Sequence, residues 1–577
     1  MRIVKSLLVV LALSALPLAA APQASSVDQA IDRIVSQEQA EMQALQQYSP
    51  LVETYIQNMR PDKSLGSVPA GDRYFLGKAV LSKGVGLESL ATEDSTGGVK
   101  HKMLGGLGNV FSMQMEYLPR GFLQMIYIDT NGFDRQHYNF DYVRREFLGE
   151  VRCLVFDVTP QGKAGKGRFL GRIWVEDQDF HIVRFNGAYT GSSKTTYYFH
   201  FDSWRVNSGP NLWLPAFIYS EEGDVQYAIT KRLSFKAQTR LWGYDMGHSK
   251  QEQELSKILV ESASPITDQT TTANDYSPLQ AQRTWDHQAE DNVVDRMERL
   301  GLLAPKGDVD KVLDTVINNL EVTNNLDVQP EVRSRVLMTS TLEAFTIGHT
   351  IVVSRGLIDV LPDEASLATV LSHELSHVVL GHRIDTQYAF FDRLLFNDKD
   401  TFQHFGFART PDEENEANTK AAELLKNSPY KDQLSTPQLF VQALQERSKE
   451  IPNLISPHLG DRVPTGWSSG TPVVQPVAAT PAPDASAKPA ANVIVALPLG
   501  GRIKVDPWNN TLEMLKSKPV GAVAEREKMP FEVTPFILYL SREQPGQSSM
   551  MSPANGVGAD SKAEANNGPS SEGNKVR

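Results

Sequence analysis

The sequence predicts an α+β multidomain protein: an N-terminal helix and an antiparallel β-sheet domain, then a mainly helical domain with a small edge-stranded sheet. Three observations lead there. Short runs of aromatic and β-branched residues, separated by Gly, Asn, Asp and Pro, fill the stretch from about Asp72 to Leu255, as successive antiparallel strands would. A helical period returns near Gln288 and lasts to about Lys449. A Pro/Ala-rich segment then sets off a short β-rich block. At 577 residues with one cysteine, Cys153, the chain needs more than one core and has no internal disulfide to help it.

Residues 1–21 carry basic Arg2 and Lys5, an apolar run from Leu7 to Leu16, and Ala19, Ala20 and Ala21 before Pro22. This is the pattern of a secretory signal peptide, so the expected location is the periplasm or the exterior. No cysteine follows the run, so no lipid anchor of the bacterial lipoprotein kind is expected. No later stretch has eighteen uninterrupted apolar residues, so no membrane span is expected after the signal is removed.

Residues 22–60 are expected to form a helix, because Ile31, Ile34, Met42 and Leu45 recur at helical spacing and the pattern reads through to about Met59. Residues 61–260 are expected to form one curved antiparallel sheet, with strands such as "FLQMIYID", "CLVFDVTP" and "LWLPAFIYSEE". Its clearest hairpin joins residues 172–175 to 180–185. Residues 280–465 form the helical domain, 466–492 the Pro/Ala linker, 493–540 a small β-rich segment and 541–577 a tail whose Ser/Gly/Asn composition predicts disorder. No repeat of solenoid period is present. A net charge of −12 and a pI near 5.6 leave no electrostatic footprint for nucleic acid.

The segment "LSHELSHVVLGH" holds His373, His377 and His382, three of the chain's twelve histidines. Val370, Leu371, Leu375, Val378 and Val379 make the buried stripe of an ordinary amphipathic helix. That stripe does not explain two imidazoles four residues apart, which a helix sets on one face close enough to share a metal. Glu374 borders that face, where its carboxylate could take a proton from a water. This is the H-E-x-x-H arrangement of zinc peptidases, which needs a third protein ligand. In "PDEENEANTKAAELL" Glu414 lies in an acidic first turn, one turn before the small residues Ala417 and Ala421 that would let two helices approach closely. The same acids could equally serve only to complement the helix dipole. On the residues alone both readings stand.

The stretch "TSTLEAFTIGHTIVVSRGLIDVLPDEASLATVLSHELSHVVLGH" resembles the core of the zinc metallopeptidases that include HtpX, BepA and the CAAX prenyl proteases. Their pattern is an Asn-Ala-Phe-like segment, a strand ending in Arg-Gly-Leu, an acidic entry to a helix, H-E-x-x-H and a later E-x-E-A-D. "EAF" is Glu343 to Phe345 here, "SRGL" is Ser354 to Leu357, and "ENEAN" is Glu414 to Asn418. The resemblance spans about 289–463. It implies a zincin-like fold and a Zn2+ ion on His373, His377 and Glu414, with Glu374 as general base.

Three positions depart from the pattern. Asn418 stands where the family has an Asp that orients a ligand histidine; an amide still accepts a hydrogen bond, so zinc affinity rather than the site itself is at risk. Glu343 replaces the usual Asn, which puts the local turn in question. In "SPHLGDRV" Ser456 takes the place of a histidine, while Arg462 is retained as a candidate for binding the oxyanion, with a surface salt bridge as the other reading. His382, about 140° around a continued helix from His377, would miss the metal face and is expected either to back a ligand or to be exposed. His349, His404 and His458 match no ligand spacing.

The resemblance implies a zinc-dependent endopeptidase, with extended or misfolded envelope proteins as the expected partners and their quality control as the expected role. Residues 349–354, "HTIVVS", are expected as the edge that pairs with substrate. Residues 388–410, rich in Phe and Leu, are expected to be either core or a lid over the metal. Two rivals are a catalytically silent peptidase fold serving as a chaperone or scaffold, and a β domain that binds lipid or lipoprotein.

Overall fold

The computed structural model describes residues 26–63, 66–82, 84–90, 119–129, 132–162, 167–191, 198–226, 232–244, 278–384, 389, 407, 409–455, 461–462, 503–506, 511–514, 531–535 and 537–542. The expected signal peptide at 1–21, the expected linker at 466–492 and nearly all of the expected tail at 541–577 lie outside them. Among the described residues no helix is long and apolar enough to cross a membrane.

The first helix, α1, is Ser26–Leu45. Strands β1 (Leu51–Asp62), β2 (Gly66–Val80) and β3 (Gly86–Ser89) follow, then a short helix α2 (Pro119–Gln124), which with the turn after it replaces the strand expected at "FLQMIYID". Seven more strands continue the sheet: β4 (Tyr138–Leu148), β5 (Val151–Pro160), β6 (Phe169–Glu176), β7 (Ile182–Tyr189), β8 (Phe201–Gly209), β9 (Leu212–Gln226) and β10 (Arg232–Trp242). Their order is β3-β2-β1-β10-β9-β8-β7-β6-β5-β4. Every neighbouring pair is antiparallel, and the β6–β7 hairpin pairs Ile173 with Phe185 as the sequence predicts.

The helix expected through about Met59 stops at Leu45, and residues 51–62 are instead a strand between β2 and β10. Pro50 cannot continue a helix and drives Ser49 towards extended backbone. Val52, Thr54, Tyr55 and Ile56 then favour a strand. Both faces of β1 are buried, so no polar face reveals its period. Leu51 and Tyr55 join the core shared with the helical domain, while Val52 and Ile56 join the core under α1 with Ile31, Ile34 and Leu45. The large sheet is therefore covered on both sides, by α1 and α2 on one and by the helical domain on the other.

The helical domain opens with α3 (Pro278–Arg299) and α4 (Asp308–Thr323). Strands β11 (Arg333–Leu337), β12 (Glu343–Ile347) and β13 (Thr350–Ser354) lead into α5 (Arg355–Val360) and α6 (Glu364–Leu380). Helices α7 (Pro411–Lys426), α8 (Ser435–Arg447) and α9 (Pro452–Ile455) precede the two-residue strand β14 (Asp461–Arg462). The small sheet has the order β11-β13-β12-β14, with β11 and β13 parallel. Strand β13 is therefore interior, which corrects its expected role as the free edge. A run as apolar as "TIVVS" is buried along its whole length, as a strand paired on both sides should be. Strands β15 (Ile503–Val505) and β16 (Leu512–Met514) form a separate two-stranded ribbon.

Candidate metal centre

Helix α6 begins where the Asp363 side chain accepts the Ser366 amide at 2.8 Å, and ends at Gly381, whose φ of 73° is the left-handed turn a glycine allows. Between these ends the helix is almost wholly buried, and His373 and His377 share a face. Their Nε2 atoms stand 3.2 Å apart. Helix α7 supplies the third group. Thr410 accepts the Glu413 amide and Glu413 returns a bond to the Thr410 amide, so Glu413 closes a capping box. Glu414, the next residue, turns to the histidines instead: its carboxylate lies 3.4 Å from His373 Nε2 and 3.7 Å from His377 Nε2. Ala417 and Ala421 are buried, the small face that lets α7 approach α6.

These separations suit one ion. Ligand atoms about 2.0–2.2 Å from a tetrahedral zinc stand about 3.3–3.6 Å from one another. One donor atom from each of His373, His377 and Glu414 lies within 4.8 Å of the others, a grouping that could hold a metal. Burial, reinforced by the neighbouring His373, Arg409 and His382, holds the His377 imidazole down to about 2, so it is neutral and offers a lone pair. Two neutral imidazoles and a carboxylate are the donor set of catalytic zinc sites.

Glu374 is buried beside its two histidines, and burial pushes its carboxyl above the ordinary carboxylate range. The hydroxyl of Thr346 on β12 donates to Glu374 Oε2 at 2.7 Å, and Arg409 Nη2 in turn donates to the Thr346 carbonyl at 2.9 Å. Thr346 lies inside the quoted "EAFTI" run, yet its contact with Glu374 is tertiary and leaves no mark on local spacing. His382 comes closer than a continued helix would allow. Gly381 ends α6, the His382 amide bonds back to His377 O at 3.0 Å, and the two Nδ1 atoms meet at 2.9 Å. On its other side His382 Nε2 lies 3.4 Å from Glu416. With His382 accepting, the His377 proton sits on Nδ1 and Nε2 is left for a ligand.

The three departures have separate outcomes. Asn418 is buried in α7, and its Nδ2 meets no hydrogen-bond partner among the described residues. Glu343 is fully buried, with the Thr341 and Thr339 hydroxyls donating to Oε1, so threonines before it hold the turn. Arg462 pairs through its backbone with Glu343. Its side chain, Ser456, His404 and His458 lie outside the described residues, as does the expected lid at 388–410 apart from Ala389, Phe407, Arg409 and Thr410.

No curated protein matches the chain. Among solved structures, a LolA superfamily protein from Nitrosomonas europaea is similar at 12% identity, covering 37% of this chain and 92% of its own, with a TM-score of 0.20. A putative outer membrane lipoprotein-sorting protein domain from Vibrio parahaemolyticus is similar at 9% identity, covering 38% and 96%, with a TM-score of 0.18. Both TM-scores are too low to place the large sheet in either fold. Residues 304–446, which contain β11 to β13 and all four residues of the centre, match the family described as Peptidase family M48. The match supports a zinc metallopeptidase domain of family M48 within this chain.

Proposed function

We propose that this chain is a zinc-dependent endopeptidase acting on extended or misfolded proteins of the cell envelope, in the periplasm or outside the cell. The observation that carries the reading is the convergence of His373, His377 and Glu414 on one point with Glu374 beside them. His373, His377 and Glu414 would hold the ion. The chemistry a bound zinc supplies is Lewis acidity, which polarises a carbonyl and brings the pKa of water from about 15.7 towards about 7. Glu374 takes the proton of the attacking water on its carboxylate and returns it to the departing amine. Thr346 keeps that carboxylate turned to the site through its hydroxyl. Arg462, aligned by its backbone with Glu343, is the candidate to bind the oxyanion.

The substrate pairs with β12 rather than β13. Among the described residues β14 meets β12 only at Glu343 and Ala344, so no strand pairs with residues 345–347 on that side. An extended backbone added there would run past Thr346, next to Glu374. Pairing through the main chain selects accessible, unfolded segments over particular sequences. Chelator treatment of the full chain should abolish casein cleavage and added zinc should restore it. Cleavage that survives complete metal removal would overturn the reading.

A further inference from the structure

We propose that His287, Glu290 and His349 form a second metal site, for a divalent transition cation of the zinc class, apart from the centre on α6. His287 and Glu290 lie one turn apart on α3, with His287 Nδ1 3.5 Å from Glu290 Oε2. His349 comes from the turn between β12 and β13. Its ring centroid lies 5.0 Å from that of His287, against 4.8 Å for His373 and His377. One donor atom from each of the three lies within 4.8 Å of the others, as at the first centre.

The turn is built to close on the carboxylate. Gly348 has φ of 56°, and a Cβ there would fall 1.9 Å from Glu290 Oε2. Only a glycine lets the backbone press against Glu290 and carry His349 towards His287. The neighbouring cations have their own partners: Arg333 is paired with Asp291 and Arg383 with Asp286. Glu290 lies against His287 on its own helix, and the charge of Arg383 also reaches it. A simple ion pair needs one imidazole, whereas this arrangement brings two.

Two nitrogens and one carboxylate oxygen suit zinc and its neighbours rather than magnesium or calcium, which take oxygen ligands. Exposure of the His287 side chain, 38%, leaves room for water at a fourth position. The ion would clip α3 to the end of β12, the strand whose Thr346 holds Glu374.

The test is the zinc stoichiometry of the chelator-stripped full chain, measured by isothermal titration with zinc chloride and by elemental analysis after desalting. His287→Ala, His349→Ala and Glu290→Gln should each bind one equivalent fewer than the unaltered chain. The His287 variant alters a partly exposed side chain and the Glu290 variant keeps its shape, so circular dichroism should show both folded. His377→Ala should lose a different equivalent, and combining it with His349→Ala should lose both. If the three variants bind as much zinc as the unaltered chain, the proposal is overturned, whatever the His377 variant does.

Discussion

Ser340 donates twice to Glu53, from its amide at 2.6 Å and from its hydroxyl at 2.7 Å. Glu53 belongs to β1 in the large sheet, and Ser340 lies in the turn that launches β12. Tyr74 on β2 also donates to Glu53, at 2.9 Å, and Arg240 on β10 donates to the Ser340 hydroxyl at 2.8 Å. The two domains thus share a buried polar seam just before the strand that positions Glu374. In Glu53→Ala the Ser340 amide, its hydroxyl and the Tyr74 hydroxyl lose a charged acceptor, at a cost of about 3–5 kcal/mol. Urea denaturation should show that loss as a lower midpoint.

A second buried charge group fixes α1 to the sheet. Arg205 is fully buried, with Glu38 oxygens at 2.6 and 2.8 Å and Glu41 at 3.1 Å. Arg205→Met leaves two buried carboxylates without their cation and should cost about 3–5 kcal/mol. Adding Glu38→Leu and Glu41→Leu should recover most of it, because a buried ion group stabilises little beyond an apolar replacement. The fluorescence of Trp204 and Trp213, both buried on the sheet, would report the urea midpoints.

Glu176 sets an acid limit. Burial raises its carboxyl, but the amides of His181 and Gln178 and the Arg542 guanidinium outweigh burial and hold it below the ordinary 4.5. A carboxyl lowered on folding contributes stability that is complete above about 4.5 and disappears as the pH falls through the lower folded value. Stability should therefore fall on acidification below about pH 4.5, and Glu176→Gln should flatten that limb. The comparison is a set of thermal midpoints across pH for the two proteins.

The hydroxyl of Thr346 is the only part of that side chain the proposed chemistry uses. Thr346→Val keeps the shape, removes the bond to Glu374 and should lower turnover about tenfold, the equivalent of one bond to a charged group. Zinc content should stay unchanged, and Thr346→Ser should restore the rate.

Much of this was readable in one dimension because the features were local. The i, i+4 histidines, the acidic entry to α7 and the alternating strands of the large sheet all depend on periods within a single element. The misreadings came where tertiary burial erased the period. Strand β1, buried on both faces with Glu53, Thr54 and Gln57 among its buried residues, shows no polar face and reads as a helix, and β13 reads as an edge although its apolar run is that of a strand paired on both sides. His382 stands off the metal face as expected, behind His377, but the turn at Gly381 that brings its Nδ1 to that ligand has no mark in the helical period. Thr346, Glu53 and the grouping of His287 with His349 depend on contacts between distant segments, which spacing cannot show.

Glu374→Gln tests the central claim most directly. The amide keeps the side chain's size but cannot accept and return a proton. The account predicts a folded variant with the zinc content of the unaltered chain and casein cleavage reduced at least about a hundredfold. Unchanged turnover in that variant would contradict it.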